Sequence, residues 1–453
     1  MTSASERFKF APSGAKEDRY TTVRWMLGYG FRGLTEKPTH GWRRRTLPHP
    51  AYASGHQSAP SPAATHRSSF MWSSQSYKNQ GLAKGVSETL LDNAIVQSEL
   101  LIYSELSLPS ILSLNHLAKR TCVEYEWLRG FVMRRAMNGV EDFESYKKFS
   151  IRKRSGGRRF IHVPTPKLMH TQRWINEHIL KGVPVHPASQ AFGKGSSIKK
   201  CASRHCGAKW LIKIDIADFF SSVSEIQVFR IFRSFGYQPL VAFELARLCT
   251  VGTYWESPRG SLPQWKTRHP NKSIPLYDQK ILGYLPQGAP TSPLLANLAM
   301  KDCDRALQAL AHKNGLAYTR YSDDLSFSTK DKGFSRSQSR EFVCDAYAIL
   351  SRSGFRPNLR KTTVVPPGSR KIVLGLNVET EHPRLTKSIR DRIRQHLHFL
   401  KKVGPVEHAF NREFDSVWGL KAHLRGLIDF ANMIEPDFAE ASLKEFDSVE
   451  WPV

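Results

Sequence analysis

From Trp210 to Ala217 the chain alternates: Ile212, Ile214 and Ile216 are separated by Lys213 and Asp215. A two-residue period predicts a half-buried strand, with Asp215 on its polar face near the strand end. A second alternation, Leu325 and Phe327 with Ser326 and Ser328, follows Tyr321-Ser-Asp-Asp324. It predicts two strands joined by a tight turn at Ser322-Asp323. Between these runs, Leu285-Pro-Gln-Gly-Ala-Pro-Thr-Ser-Pro-Leu-Leu-Ala-Asn-Leu298 reads as a Gly/Pro-rich turn entering a helix. Thr291 or Ser292 caps that helix, and Pro293 is tolerated in its first turn. Upstream, Phe149 and Ile151 face Phe160, Ile161 and Val163 across Lys153-Arg154-Ser155-Gly156-Gly157-Arg158-Arg159, which predicts a β-hairpin with a basic tip. Helical spacing predicts two short helices within 112–135, one from about Leu168 to Leu180, and a pair within 224–250. Near the C-terminus Ile389, Ile393, Leu397 and Leu400 make one apolar helix face, with Arg390, Arg394, Lys401 and Lys402 largely off it.

Two stretches break these patterns. Residues 1–85 carry Arg43, Arg44 and Arg45, then a run rich in Ser, Pro, Ala and His, with no persistent period. They read as a basic, partly disordered extension. Its Trp25, Trp42 and Trp72 would suit docking on the body or stacking on RNA bases. Residues 253–280 are polar, contain Pro258, Pro263, Pro270 and Pro275, and read as an inserted loop.

Composition narrows the class. The formal net charge is +27 over 453 residues, an excess that reads as a footprint for nucleic acid. Charge alone suits a basic structural protein as well as an enzyme. Six dispersed cysteines without a CxxC pair favour reduced thiols and a cytoplasmic setting. Cys201, His205 and Cys206 lack a second ligand pair at zinc spacing. No apolar run reaches membrane-spanning length.

Chemistry enters with the carboxylates. Asp323 and Asp324 are adjacent and flanked by apolar strand residues, so their turn faces a cleft rather than open solvent. Their repulsion there calls for a compensating charge, and a divalent cation supplies one. Asp215 alone reads no further than a turn or cap residue. Gly288 would let backbone approach a ligand closely, with Gln287 offering a polar side chain there.

The order of these pieces carries more than any one of them. An Asp-x-x-x-x-aromatic strand, an LPQGxxxSPxxxN turn-helix and a Tyr-x-Asp-Asp hairpin resemble the palm of reverse transcriptases. Arg159-Phe-Ile-His-Val-Pro164 with Leu168 and Gln172 resembles their fingers, and Ala191-Phe-Gly-Lys-Gly-Ser-Ser-Ile198 the stretch before the first catalytic strand. Lys361 and Val373-Leu-Gly-Leu-Asn-Val378 resemble later palm motifs. Leu424-Arg-Gly-Leu-Ile-Asp-Phe430, Ile434-Glu-Pro436 and Trp451 are similar to the bacterial retron-type branch. Two motifs depart from that branch. Cys201-Ala-Ser-Arg-His205 stands where Asn-Ala-x-x-His is usual, and Val373-Leu-Gly375 where Val-Thr-Gly is usual.

The resemblance implies an α+β right-hand polymerase fold. Its parts would be N-terminal helices and fingers over 86–200, a palm of antiparallel sheet plus helices over 201–383, and a helical thumb over 384–453. It implies an RNA-directed DNA polymerase whose Asp215, Asp323 and Asp324 hold two Mg²⁺ ions. Phe220 falls at the sugar gate, with Phe219 a core residue. Arg158 and Arg159 would meet the triphosphate or be solvated hairpin residues. Lys361 would protonate the leaving pyrophosphate or be a solvated charge. Asp218 would be a secondary carboxylate or a helix N-cap. Arg390, Arg394, Lys401 and Lys402 would face nucleic acid. Implied partners are a dedicated structured RNA template, its DNA product, deoxynucleoside triphosphates and an effector protein, in antiphage defence. The alternatives are a group II intron-like mobile-element enzyme and a catalytically decayed RNA-binding protein.

Overall fold

The computed structural model of the chain describes residues 73–134, 146–152, 158–252, 265–266 and 281–452. The expectations for residues 1–72, for the hairpin tip at 153–157 and for most of the 253–280 insertion lie outside the described residues. The chain divides into two compact units at Val96–Gln97. In the smaller, Ser73 caps helix α1 (Ser74–Ala83), and Lys78 bridges Glu88 at 2.8 Å and Asp92 at 2.7 Å at the start of α2 (Glu88–Ile102). The extension expected to run to residue 85 thus contains a helix at its end.

In the larger unit the predicted elements take their places along the chain. The two short helices are α3 (Leu114–Thr121) and α4 (Tyr125–Met133). The hairpin is β1 (Tyr146–Arg152) against β2 (Arg158–Pro164), antiparallel, with Arg152 opposite Arg158. Pro166 then opens α5 (Pro166–Ile175), which continues as a π turn over Asn176–Leu180. After α6 (Ile198–Ser203) comes β3 (Trp210–Ala217). Ser224 and Gln227 form a reciprocal capping box at the start of α7 (Glu225–Ser234), and α8 (Pro239–Cys249) follows with most of its surface buried. Glu225 is buried among Arg134, Arg247 and Thr250, tying the end of α4 to α7 and α8. Strands β4 (Trp265–Lys266) and β5 (Ile281–Leu282) pair with each other. Helices α9 (Ser292–Ala299) and α10 (Lys301–Lys313) lead to β6 (Ala317–Tyr321) and β7 (Asp324–Thr329). Helix α11 (Arg336–Arg352) precedes β8 (Arg356–Pro357) and β9 (Thr363–Val365).

The central sheet is antiparallel throughout, in the order β6-β7-β3-β8, with β9 also against β3. β3 was expected to be half-buried; it is buried on both faces. Ile212, Ile214 and Ile216 belong to the main core, while Leu211 on the other face belongs to a second core. A strand between two cores cannot keep a solvated face, so its polar residues end at a cleft rather than at the surface.

The second core is built by α12 (Lys387–Asn411), α13 (Val417–Ile434) and α14 (Pro436–Asp447), with the short strands β10 (Ile372–Val373), β11 (Leu376–Asn377) and β12 (Arg384–Leu385). The expected apolar face of α12 is present: Ile393, Leu397 and Leu400 are buried. Gly404 leaves helical geometry at φ 80° just before Pro405 and kinks the helix. This core reaches back to Ala202, Cys206 and Val373, well upstream of residue 384. No helix among the described residues is long and apolar enough to cross a membrane.

Candidate active site

The register of the sheet brings the carboxylates together. Asp215 pairs directly with Asp324 across β3 and β7, and Ile216 N–H donates to the Asp323 carbonyl at 3.0 Å. Tyr321 pairs with Asp324, so Ser322 and Asp323 form a two-residue hairpin turn. Of the two, only Ser322 has positive φ, at 58°, as a type II′ turn requires. That conformation is strained for a residue with a Cβ, and Arg320 holds it. Arg320 is fully buried. It donates to the Ser322 carbonyl at 3.0 Å, to Asn297 at 2.9 Å, and to both Asp304 oxygens at 2.8 and 2.7 Å. Tyr318 donates to the same Asp304 at 2.7 Å.

The charges at the turn are unbalanced. Burial pushes the Asp323 carboxyl above its ordinary value, and the nearby Asp215 adds to the rise. Burial likewise raises Asp324, with Asp323 as the next cause. Asp215 is met by two donors: Asn358 Nδ2 at 2.9 Å and Lys361 Nζ at 2.8 Å. That hydrogen bond to Asp215 raises Lys361 in turn and keeps it protonated.

These groups edge a cleft of 1330 Å³. Arg152, Arg158 and Arg159 line one side, and Arg356, Arg360 and Lys361 another. Asp215, Asp218, Asp323, Phe192, Phe220 and Gln287 also face it. Asp324 does not line the cleft; it stands beside Asp215 on the paired strand. Phe219 is buried, as expected, and Phe220 is half-buried at the cleft wall. Asp218 has φ 50°, and its side chain lies 3.7 Å from Arg356. Its carbonyl, not its carboxylate, receives Ser222 N–H, so it is no side-chain cap.

Three expectations change. The close backbone approach at Gly288 is to β2: a Cβ there would lie 2.9 Å from the His162 carbonyl, and Gln287 O accepts His162 N–H at 2.8 Å. Gly288 therefore docks the hairpin rather than a ligand. Arg158 donates to Ser150 on the neighbouring strand at 2.9 Å, leaving Arg159 the freer of the pair. On α12, Arg390 is half-buried against Glu435 at 2.5 Å, Arg394 lies over the Phe438 ring at 5.5 Å, and Lys401 pairs with Glu445 at 2.9 Å. Glu435 and α14 supply those partners; only Arg390 is drawn in from solvent, and Arg394, Lys401 and Lys402 stay exposed.

Asp215 and Asp323 at the cleft, with Asp324 beside them on the paired strand, are hard oxygen donors of the kind that suit a divalent cation. Among the described residues, no group of three or more His, Cys, Asp or Glu side chains is arranged to hold one. Both Asp215 oxygens are already hydrogen-bonded, so Lys361 and Asn358 neutralise and orient this carboxylate. His205 bridges Ser328 and Thr319 hydroxyls at 2.7 Å each, which ties both ring nitrogens to β7 and β6. Sequence reasoning missed Asn297, Asp304, Arg320 and Asn358. Asn297 closes the quoted turn-helix motif; nothing in local pattern marked the others.

The family model described as reverse transcriptase (RNA-dependent DNA polymerase) matches residues 151–393. That is more than half of the chain, and the chain belongs to the reverse transcriptase family. The expected likeness to its retron-type branch is borne out by curated relatives. The chain is 31% identical over 345 residues to the retron Mx162 reverse transcriptase of Myxococcus xanthus, covering 74% of this chain and 66% of that one. It is 33% identical over 307 residues to the retron Mx65 enzyme of the same organism, covering 66% and 64%. It is 29% identical over 349 residues to the retron Ec86 enzyme of Escherichia coli, covering 75% and 95%. The chain spans just under two thirds of the length of the two Myxococcus relatives.

Proposed function

We propose that the chain is an RNA-directed DNA polymerase that extends a primer on an RNA template. The observation that carries this reading is the convergence of Asp215, Asp323 and Asp324 where β3 meets the β6–β7 turn, at the edge of a cleft lined by basic residues. In this reading the central sheet and its helices are the palm, the β1–β2 hairpin belongs to the fingers, and α12–α14 form the thumb. The three carboxylates would hold two Mg²⁺ ions after drawing closer than they stand here, with Asn358 and Lys361 sharing or yielding the Asp215 oxygens. Bound there, the cations would activate the primer hydroxyl and stabilise the charge of the leaving pyrophosphate.

The chain's own residues do the rest. Arg320 fixes the turn that presents Asp323, and Asn358 orients Asp215. Arg159 meets triphosphate oxygens from the hairpin; a guanidinium suits bidentate phosphate contacts. Lys361, kept protonated by Asp215, has a proton to give to the departing pyrophosphate. Phe220 stands where its ring would meet a ribose 2′-hydroxyl. Gln287 offers its side chain to the nucleotide. Lys402, exposed on α12, remains a contact for the nucleic-acid backbone.

In this reading the template is a dedicated structured RNA; the relatives are themselves retron reverse transcriptases. Cytoplasmic antiphage defence, with an effector protein, is the setting this reading carries. The test is primer extension by the full chain with Mg²⁺, an RNA template and labelled deoxynucleotides. Wild type should extend the primer, and Asp323→Ala should lower the rate by at least about 1,000-fold while circular dichroism stays unchanged. Full activity in that variant would remove the carboxylate assignment.

A further inference from the structure

Phe192 has a backbone that few bulky residues adopt. Its φ is 64°, and Gly193 N–H donates back to the Ala191 carbonyl at 2.8 Å. That closes a three-residue γ-turn of the strained, positive-φ kind. Gly193 and Gly195 follow within three residues, and Gly195 itself takes φ 74° without penalty. A ring occupies the strained position all the same.

The surroundings over-determine that strain. Asn297 Nδ2 donates to the Ala191 carbonyl at 2.8 Å, and Ser189 donates to Asn297 at 3.0 Å. Gln190 N–H donates to the Arg320 carbonyl at 2.7 Å, and Arg320 N–H to Ala188 at 2.8 Å. The turn is therefore fastened to β6, the strand that leads into the aspartate turn. From there the Phe192 ring, 45% exposed, lines the cleft with its centroid 6.5 Å from that of Phe220. Phe220 has Phe219 as its other ring neighbour, at 5.4 Å. Phe219 is itself buried against Phe355.

We propose that Phe192 is a positioning residue for sugar selection: its ring braces Phe220 and fixes the depth of the pocket beside the nucleotide sugar. This rests on reading Phe220 as the sugar gate. A gate that distinguishes sugars by one hydroxyl must hold its ring to a fraction of an ångström. A half-buried phenylalanine supported on one side only would swing toward the open cleft. Strain persisting at an open cleft, where glycine would relieve it, marks a position held for its side chain.

The experiment uses the full chain on oligo(dT)-primed poly(rA), with kcat/KM measured for dTTP and for UTP. Phe192→Gly relieves the backbone while removing the ring. It should lower the dTTP/UTP preference by about tenfold or more, chiefly through better use of UTP. Phe192→Tyr should keep the preference. The double variant Phe192→Gly/Phe220→Ala should be no more permissive than Phe220→Ala, because one residue acts through the other. The inference falls if Phe192→Gly keeps wild-type preference while Phe220→Ala loses it. It falls too if Phe192→Gly raises KM for both nucleotides equally, which would mean a direct stacking platform. If Phe220→Ala discriminates like wild type, the gate reading fails and takes the brace with it. A wild-type chain that extends no primer overturns the polymerase reading itself.

Discussion

Arg320 is a fully buried cation whose partners lie on three different elements: Asp304 on α10, Asn297 on α9 and the Ser322 carbonyl in the aspartate turn. A buried ion pair of this kind is weak evidence for stability but strong evidence for geometry. Removing one partner leaves an uncompensated charge and costs about 3–5 kcal/mol. The informative change is therefore Arg320→Lys, which keeps the charge and loses the fork that meets both Asp304 oxygens. It should retain the circular dichroism spectrum and slow primer extension by about 100-fold, because the turn carrying Asp323 is no longer held. Rates equal to wild type in a folded Arg320→Lys chain would mean that the turn positions itself.

Two features at the scale of elements make separate predictions. The hairpin β1–β2 is docked through Gly288, whose φ of 117° and 2.9 Å virtual Cβ contact with the His162 carbonyl exclude a side chain. Gly288→Ala should destabilise the chain by about 1–3 kcal/mol, read as a lower urea midpoint with an unchanged slope. In the C-terminal helices, His396 Nδ1 and His408 Nε2 share a hydrogen bond at 2.9 Å, with His423 5.7 Å from His396. Burial pushes His396 down from 6.5 to about 4, helped by His408, Arg412, His423 and Arg392. A histidine with a depressed folded pKa takes up its proton more readily when unfolded. Its contribution is full above pH 6.5 and is lost as pH falls toward about 4. The protection of α12 and α13 amides, taken relative to the intrinsic exchange rate at each pH, should fall over that window, and His396→Phe should flatten the dependence. Equal pH dependence in the variant would place the sensitive group elsewhere.

For the whole molecule, charge and recognition separate by their response to salt. A net charge of +27 attracts any polyanion, and this attraction weakens steeply as salt is raised. A dedicated RNA must add contacts to shape and to unpaired bases, which salt screens less. Purification from the native host in high salt, followed by sequencing of what stays bound, checks this. One dominant short RNA together with DNA copied from it is the expected result. A broad sample of cellular RNA would point instead to the mobile-element reading.

The strands carrying the three aspartates, the tight turn between Tyr321 and Asp324, the helix after Leu285 and the apolar face of α12 were all legible in the sequence. They follow from period and turn chemistry, which act over a few residues. The family likeness was legible for a related reason: its motifs are local and their order is fixed along the chain. What local pattern could not give is anything that depends on two distant segments meeting. β3 is buried on both faces only because a second core closes behind Leu211. Lys361 reaches Asp215 across 146 residues, and Arg390 turns to Glu435 instead of solvent because α14 follows it into the same core. Gly288 read as room for a ligand, and tertiary structure filled that room with the backbone of β2. A cation's partner is set by which side chains packing brings within hydrogen-bond reach, and sequence periodicity holds no record of that distance.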